Sequence, residues 1–393
     1  MTLPIQEIKR LARQFKDEII EIRRDIHQHP EIGFEVQRTA KIAANACLKL
    51  GLKVTEGVGR TGVVADLIID PKANTIALRA DMDALPMQEE GDCEYKSTVP
   101  GAAHMCGHDA HTAMLIGAAK ILTSLKDQLK CNVRFVFQPN EENFPGGAPG
   151  MIEDGVLKDV GMIFGLHVWP EIASKSLGLC VGPAMAKPDE FKIYITGKGG
   201  HAAEPHLAID PIIVGAQIIT QLQSIVSRNV SPFDNAVLSF TEFHSGSTHN
   251  VIPEKAFLHG TIRTFRPEVQ IYMRETLQSR SRAIAESFGA KLEIEYIEGY
   301  PVTFNHDDAL SVSREVAQEI FGKDQVIMPA SPTMGGEDFG YYSQEIPACF
   351  AFLGIRNEEK GICRMCHDPR FDVDEDCFVE GMSYHAGVAL SFK

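Results

Sequence analysis

The chain has 393 residues, of which 44% are hydrophobic and 23% are charged, and its formal net charge is -15. This length exceeds the usual ceiling for a single hydrophobic core, so we expect two domains in an ordinary globular protein. The negative charge argues against nucleic acid and anionic membranes as partners, because both attract a basic protein surface.

The N-terminal residues form a charged amphipathic pattern without the apolar core of a signal peptide, and no apolar run is long enough to span a bilayer. We therefore expect no membrane partner and a cytoplasmic location. The nine cysteines are an odd number without the spacing of a disulfide framework, which also indicates a reducing compartment.

The first half of the chain alternates short apolar runs with helical patterns. Helices are predicted from about Ile5 to His29, from about Gln37 to Leu50 and from His111 to Lys126. Strands are predicted for the segments VTEGVG, GVVADLII, TIALRADM, CNVRFVFQP and MIFGLHVWP. Strands separated by helices indicate an α/β sheet, and its chemistry is expected at the strand ends.

The pattern changes at about Asp189. The strand EFKIYITG is followed by a helix over Asp210 to Arg228, the alternating strands AVLSFTEF and AFLHGTIRTF, a helix over Pro267 to Phe288 and the strand KLEIEYIEG. This β-α-β-β-α-β order is that of a ferredoxin-like module.

After about Tyr300 the α/β pattern returns. We therefore expect one domain over residues 1–186 that is completed by residues 300–393. A separate domain over residues 187–299 interrupts it.

The segment AAHMCGHDAH concentrates possible metal ligands in a short loop before a helix. Cys106 and His108 are separated by one glycine, and thiolate and imidazole are preferred ligands of zinc and related metals. A histidine-rich surface loop with a buried cysteine is the alternative.

Three other segments contribute candidate residues. Glu141 and Glu142 follow an apolar strand, where one can bind a metal while the other moves a proton, although a solvated turn has the same pattern. His167 interrupts an apolar run, either as a ligand or as a core histidine. His367 lies near the C-terminus in CHDPRFD.

His367 also ends a competing motif, because CRMCH matches the C-x-x-C-H pattern of covalent haem attachment. Haem attachment requires export, so the lack of a signal-peptide pattern disfavours it. A redox pair formed by Cys363 and Cys366 is harder to exclude, although the surrounding pattern is not thioredoxin-like.

Eight segments in chain order resemble motifs of the M20 metallopeptidase family, namely RADMDALPM, MCGHDAH, QPNEE, LHVWP, GKGGHAAEPH, HNVIP, GTIRTF and GGEDF. The chain is most similar to the aminoacylase branch, which includes hippurate hydrolases, auxin-conjugate hydrolases and N-acetyldiaminopimelate deacetylases. The resemblance implies a zinc-peptidase-like α/β catalytic domain with a mixed sheet. It also implies that the inserted ferredoxin-like α+β domain is a lid that mediates dimerisation.

The resemblance further implies two divalent metal ions per subunit, which these ligand types allow to be zinc, manganese, cobalt or nickel. The implied ligands are Cys106, His108, Glu142, His167 and His367. Glu141 is the implied general base. Asp81 and Asp83 stand where classical members carry a metal-binding histidine and its supporting aspartate. Asp81 is therefore left out of the ligand set, and Asp83 is expected to orient a ligand.

The inserted domain is expected to bind the substrate. His201 in the GGHAA turn can donate a hydrogen bond to a developing oxyanion. Arg263 on the GTIRTF strand offers a planar two-donor fork for a carboxylate, with Asn250 as a neutral hydrogen-bond partner. An exposed loop histidine and a solvent-facing arginine are the alternatives.

We therefore predict a metal-dependent amidohydrolase that cleaves N-acyl L-amino acids, N-acetyl or hippurate-like, into a carboxylate and a free amino acid. The expected assembly is a homodimer or a higher homo-oligomer formed through the lid. A carboxypeptidase or dipeptidase of the same family is the first alternative. A hydrolase with Cys106 as nucleophile and a metal-dependent binding protein without turnover are weaker ones.

Overall fold

The computed structural model describes residues 3–392, so the predicted domain bounds at residues 1 and 393 lie outside the described residues. Within this range the helices α1 to α9 cover Ile5–Gln28, Gln37–Lys49, His108–Ser124, Ala148–Glu153, Pro211–Ser224, Pro267–Ser287, Asp307–Phe321, Phe339–Glu345 and Phe378–Ser391. The strands β1 to β16 cover Lys53–Val58, Gly62–Leu67, Thr75–Asp81, Asn132–Gln138, Val160–Ala173, Leu177–Leu179, Gly182–Met185, Lys187–Thr196, Gly200–His201, Ala236–Ser245, Val251–Ile252, Lys255–Thr264, Lys291–Ile297, Thr303–Asn305, Val326–Ile327 and Ala348–Arg356. None of the described helices has the length and apolar character needed to cross a bilayer.

The described chain divides into two compact units. The first contains the residues up to Ala184, together with Thr303–Pro332 and the residues from Glu337 onward. The second contains Met185–Val302 and Thr333–Gly336. The inserted domain predicted from the sequence, over residues 187–299, is slightly shorter than the second unit. The prediction also omits the short segment Thr333–Gly336, which belongs to that unit.

The first unit is built on an eight-stranded mixed sheet in the order β1-β2-β4-β3-β5-β16-β6-β15. Within it the four central strands β4, β3, β5 and β16 run parallel to one another, whereas β2 and β6 pair antiparallel with β4 and β16. β3 is buried along its whole length, as expected for a parallel strand covered on both faces. Because Asp81 of β3 pairs with Gln138 of β4, the acidic segments after these strands leave the sheet at the same edge.

The second unit has a four-stranded antiparallel sheet in the order β10-β12-β8-β13, on which α5 and α6 pack. Its core uses alternate residues of the strands, among them Phe191, Ile193 and Ile195 of β8. The elements follow the β-α-β-β-α-β order of a ferredoxin-like module. The mixed α/β sheet and this α+β module confirm the predicted fold class.

Close packing around Gly165 of β5 determines how the centre of the large sheet fits together. Gly165 pairs with Phe350 of β16. A Cβ at Gly165 would lie 2.5 Å from Phe350 Cδ2 and 3.0 Å from Phe339 Cε2, and both rings are buried. The strand therefore requires glycine two residues before His167.

We expect Gly165→Ala to lower the free energy of unfolding by about 1–3 kcal/mol, because one added methyl group overpacks this part of the core. The matched control is Gly161→Ala on the same strand, where the new Cβ would meet only the tip of Phe392, at 3.3 Å, and the Thr75 carbonyl, at 3.8 Å. Urea denaturation at equilibrium measures both variants. Equal losses in the two would contradict the packing argument.

Candidate metal centre

Asp83 connects the two acidic segments that follow β3 and β4. Its Oδ1 accepts a hydrogen bond from the backbone nitrogen of Glu141 (2.9 Å), and its Oδ2 accepts one from the backbone nitrogen of Glu142 (3.2 Å). The Nε2 atom of His108 lies 3.9 Å from Glu141 Oε2 and 3.8 Å from Glu142 Oε1. Both glutamates therefore present their side chains to the same imidazole.

Gly107 brings Cys106 and His108 into this site. Its φ of 91° lies in the left-handed region, and a Cβ there would lie 2.3 Å from Val168 Cγ2. Only glycine combines that conformation with so close a contact. Helix α3 begins at the next residue, so both potential ligands are held at a rigid helix start.

The tautomers of His108 and His167 are determined by backbone carbonyls. His108 Nδ1 donates to the Asp83 carbonyl (2.8 Å), and His167 Nδ1 donates to the Val168 carbonyl (2.7 Å). Because a carbonyl only accepts, each Nδ1 carries the hydrogen, and the Nε2 atoms face the centre of the site. His167 Nε2 lies 3.5 Å from Cys106 Sγ.

His367 reaches the site from the C-terminal segment. Its backbone nitrogen donates to the Met105 carbonyl (2.7 Å), which brings the segment against the Cys106 loop. Its Nε2 lies 3.4 Å from Glu142 Oε1.

Cys363 and Cys366, which the sequence offers as a potential redox pair, are both free thiols.

The predicted ligands therefore fall into two groups that share Cys106. One group is Cys106, His108 and His167, and the other is Cys106, Glu142 and His367. In each group the donor atoms lie within 4.8 Å of one another. A thiolate shared between two sets of imidazole and carboxylate donors suits zinc and its neighbours.

Unpaired buried atoms give an independent test of that fit. His108 Nε2 and Glu142 Oε1 are buried and have no hydrogen-bond partner within the described chain. Burial lowers the pKa of His108, but the charges of Asp81, Asp83 and Glu142 outweigh this and raise it well above the usual range. The site therefore favours a positive charge at this point, which a divalent cation satisfies.

The two adjacent glutamates differ in their electrostatics. Burial, reinforced by the charges of Glu337 and Glu142, raises the pKa of Glu141 well above its usual range. Burial also opposes ionisation of Glu142, but its contacts with His367 and His108 lower its pKa. Glu142 is therefore the better ligand and Glu141 the better proton acceptor.

Asp81 and His111 support the site, although their sequence pattern predicts no role for either. His111 Nε2 accepts from the Val168 backbone nitrogen (2.9 Å), so its Nδ1 carries the hydrogen and donates to Asp81 Oδ1 (2.6 Å). Both ring nitrogens are thus occupied, and His111 holds β5 beside His167. The available signal was helical spacing, because His111 lies one turn after His108.

The remaining predicted residues lie in the second unit. His201 of β9 pairs with Val251 of β11, and Ala202 donates to the Asn250 carbonyl (3.1 Å), so the structure brings His201 and Asn250 together. Arg263 lies on β12, where its Nε donates to Thr261 Oγ1 (3.0 Å). Burial lowers the pKa of Arg263, with opposition from the charge of Asp189.

Comparisons with known proteins identify the family of the chain. The family model for peptidase family M20/M25/M40 matches residues 77–391. The chain is 40% identical to thermostable carboxypeptidase 2 of Saccharolobus solfataricus over 392 residues, which cover 99% of each chain. It is 43% identical to an N-acyl-L-amino acid amidohydrolase of Geobacillus stearothermophilus over 303 residues, which cover 77% of this chain and 82% of that one.

A solved structure extends the similarity to the whole fold. The YXEP protein of Bacillus subtilis, described as a dinuclear metal-binding peptidase of the M20 family, aligns with a TM-score of 0.82 and 34% identity. The alignment covers 96% of this chain and 98% of that one. The chain therefore belongs to peptidase family M20/M25/M40 and is a metal-dependent amide hydrolase.

Proposed function

We propose that the protein is an N-acyl-L-amino acid amidohydrolase that releases a carboxylate and a free amino acid from N-acetyl or hippurate-like substrates. The observation that carries the proposal is the pair of donor groups sharing Cys106, with Glu141 directly beside them. The relative named as an N-acyl-L-amino acid amidohydrolase supports this substrate class. The relative named as a carboxypeptidase favours a metallo-carboxypeptidase or dipeptidase as the second candidate.

The proposal assigns Cys106, His108 and His167 to one divalent ion, and Cys106, Glu142 and His367 to a second. Zinc, manganese, cobalt and nickel all suit this mixture of thiolate, imidazole and carboxylate. When bound, such ions act as Lewis acids that polarise the acyl oxygen and lower the pKa of water.

Glu141 serves as the general base in this mechanism. It takes a proton from the attacking water and returns it to the leaving nitrogen. Burial and the neighbouring carboxylates raise its pKa, which favours the protonated form that delivers the proton to the leaving nitrogen. Asp83 keeps Glu141 in place through the backbone hydrogen bond and acts as a positioning residue.

The proposal gives substrate binding to residues of the second unit. Arg263 holds the amino-acid carboxylate, since a partly buried guanidinium with a lowered pKa gains from an anionic partner. Asn250 adds a neutral hydrogen bond to the substrate. His201 donates a hydrogen bond to the oxyanion that develops on the acyl carbon.

We expect the purified protein to release free amino acids from N-acetyl-L-amino acids and from hippurate. Dialysis against a chelator should abolish the reaction, and added divalent ions should restore it. Dipeptides tested in parallel distinguish the second candidate, which predicts faster hydrolysis of dipeptides than of N-acetyl compounds. Activity that survives exhaustive metal removal would rule out the mechanism.

We expect Glu141→Gln to lower kcat by about 10²–10⁴-fold, because the general base is lost while the ligands remain. The bound metal, measured by elemental analysis, should stay at the wild-type level. Glu142→Gln is the matched comparison and should lose metal as well as activity. A Glu141→Gln variant with unchanged turnover would instead favour a metal-dependent binding protein.

Two variants of the second unit test substrate binding. Arg263→Met should raise KM for N-acetyl amino acids by about 10–100-fold, the effect of losing a charged hydrogen bond, but not for the corresponding amino-acid amides. Arg266→Met, which removes an exposed arginine paired with Asp234, is the control. If Arg263→Met raises KM equally for the carboxylate and the amide substrates, Arg263 does not bind the substrate carboxylate. His201→Asn should lower kcat by about 10²–10³-fold, because the hydrogen bond to the developing oxyanion is lost.

We infer a homodimer or higher homo-oligomer formed through the second unit, and a monomeric mass by light scattering would contradict it. All nine cysteines are free thiols, which supports a cytoplasmic location in a reducing compartment. Recovery of the protein in the culture medium would contradict that placement.

A further inference from the structure

A separate cluster of metal-binding side chains lies in the first unit, formed by His27, Glu89 and Cys93. His27 lies on α1, whereas Glu89 and Cys93 lie in the loop between β3 and α3. His27 and Glu89 are buried, and Cys93 is half-buried. The mechanism proposed above uses none of the three.

The donor atoms of this cluster have the separations expected of ligands on one ion. His27 Nε2 lies 3.4 Å from Glu89 Oε1, and Cys93 Sγ lies 3.5 Å from the same oxygen. The donor atoms of all three residues lie within 4.8 Å of one another. Ligands of a tetrahedral zinc ion with bonds of ~2.0–2.3 Å lie about 3.3–3.8 Å apart.

Neighbouring groups orient the first two ligands. His27 Nδ1 lies 2.7 Å from Asp109 Oδ2, and Arg23 Nε donates to the same carboxylate oxygen. A carboxylate on the second nitrogen of an imidazole is the usual support of a metal-bound histidine. Glu89 Oε2 accepts from the Ser97 backbone nitrogen (2.7 Å), which leaves Oε1 for the cluster.

The charge of the cluster is compatible with a divalent ion. Burial and the charge of Arg23 oppose protonation, but Asp109 raises the pKa of His27 to about 10, so a proton occupies the imidazole when no metal is bound. Binding of a divalent ion displaces that proton from Nε2 and the thiol proton from Cys93, and both pass to solvent. Two protons are exchanged for two positive charges, so the net charge of this buried region does not change.

We propose that His27, Glu89 and Cys93 form a structural binding site for a thiophilic divalent cation such as zinc, separate from the candidate metal centre. The half-buried Cys93 leaves the cluster open to solvent on one side, which provides the route of entry. The ion joins α1 to the loop before α3.

The zinc content of the full-length protein tests this site. After saturation with zinc and removal of the excess, the wild type should retain one more zinc ion per chain than Cys93→Ser. Hydrolytic activity should be the same in both. Cys363→Ser removes another half-buried thiol and should retain the wild-type zinc content. Equal zinc content in the wild type and Cys93→Ser would overturn the proposal.

Two further measurements use proteins that keep Cys93, so they test the site even if the Cys93→Ser variant does not fold. In the wild type, zinc should protect Cys93 from alkylation by iodoacetamide, located by peptide mapping, while Cys363 stays reactive. Cobalt substitution should give a sulfur-to-cobalt charge-transfer band that persists in a Cys106→Ser variant. Alkylation of Cys93 that is independent of zinc, or complete loss of the band in Cys106→Ser, would overturn the site.

Discussion

The candidate centre depends on Asp83, whose carboxylate and backbone carbonyl bind groups from two other parts of the chain. Its two oxygens accept the backbone hydrogens of Glu141 and Glu142, and its own carbonyl accepts the hydrogen of His108 Nδ1. Buried backbone groups need such partners, so one residue satisfies two donors that the loop after β4 would otherwise leave unpaired. A residue that binds no metal in the proposed mechanism thus helps to position two carboxylates through its side chain and one imidazole through its backbone carbonyl.

A buried arginine balances the negative charge behind this arrangement. Arg79 of β3 donates to Asp81 (2.7 Å), Glu337 (2.9 Å) and Asp338 (2.9 Å), all of which are buried. Asp338 in turn accepts from the backbone nitrogen of Gly147 (2.9 Å), just beyond the glutamate loop. Removing one member of such a network leaves an uncompensated buried charge, so the network fixes the far end of that loop.

The mixed α/β sheet of the first unit, the ferredoxin-like second unit and the candidate ligands near Cys106 could be predicted from the sequence for physical reasons. Apolar runs with Gly and Pro at their ends identify buried strands, and the run before Glu141 places that residue at a strand end. The loop around Cys106 stands out because it places a thiol and several imidazoles, the preferred ligands of zinc and related metals, within a few residues. Resemblance to a family supplied the distant partner His367, which no local pattern connects with Cys106.

Other features could not be predicted, because they depend on contacts between distant residues. Helix α3 begins at His108 rather than at His111, since Gly107 provides a start that periodicity does not detect. The bonds from His111 to Asp81 and Val168 join a helix to two strands. Strands of two or three residues, such as β9 and β15, are too short for a periodic signal.

The order of segments in the first unit has a consequence for synthesis on the ribosome. β5 pairs with β16, whose residues are made only after the whole of Met185–Val302. The edge of β5 that receives β16 must therefore stay unpaired while the second unit emerges and compacts, and an unpaired strand edge promotes aggregation. His367 follows β16, so the centre around Cys106 cannot be completed until the whole of Met185–Val302 has been synthesised.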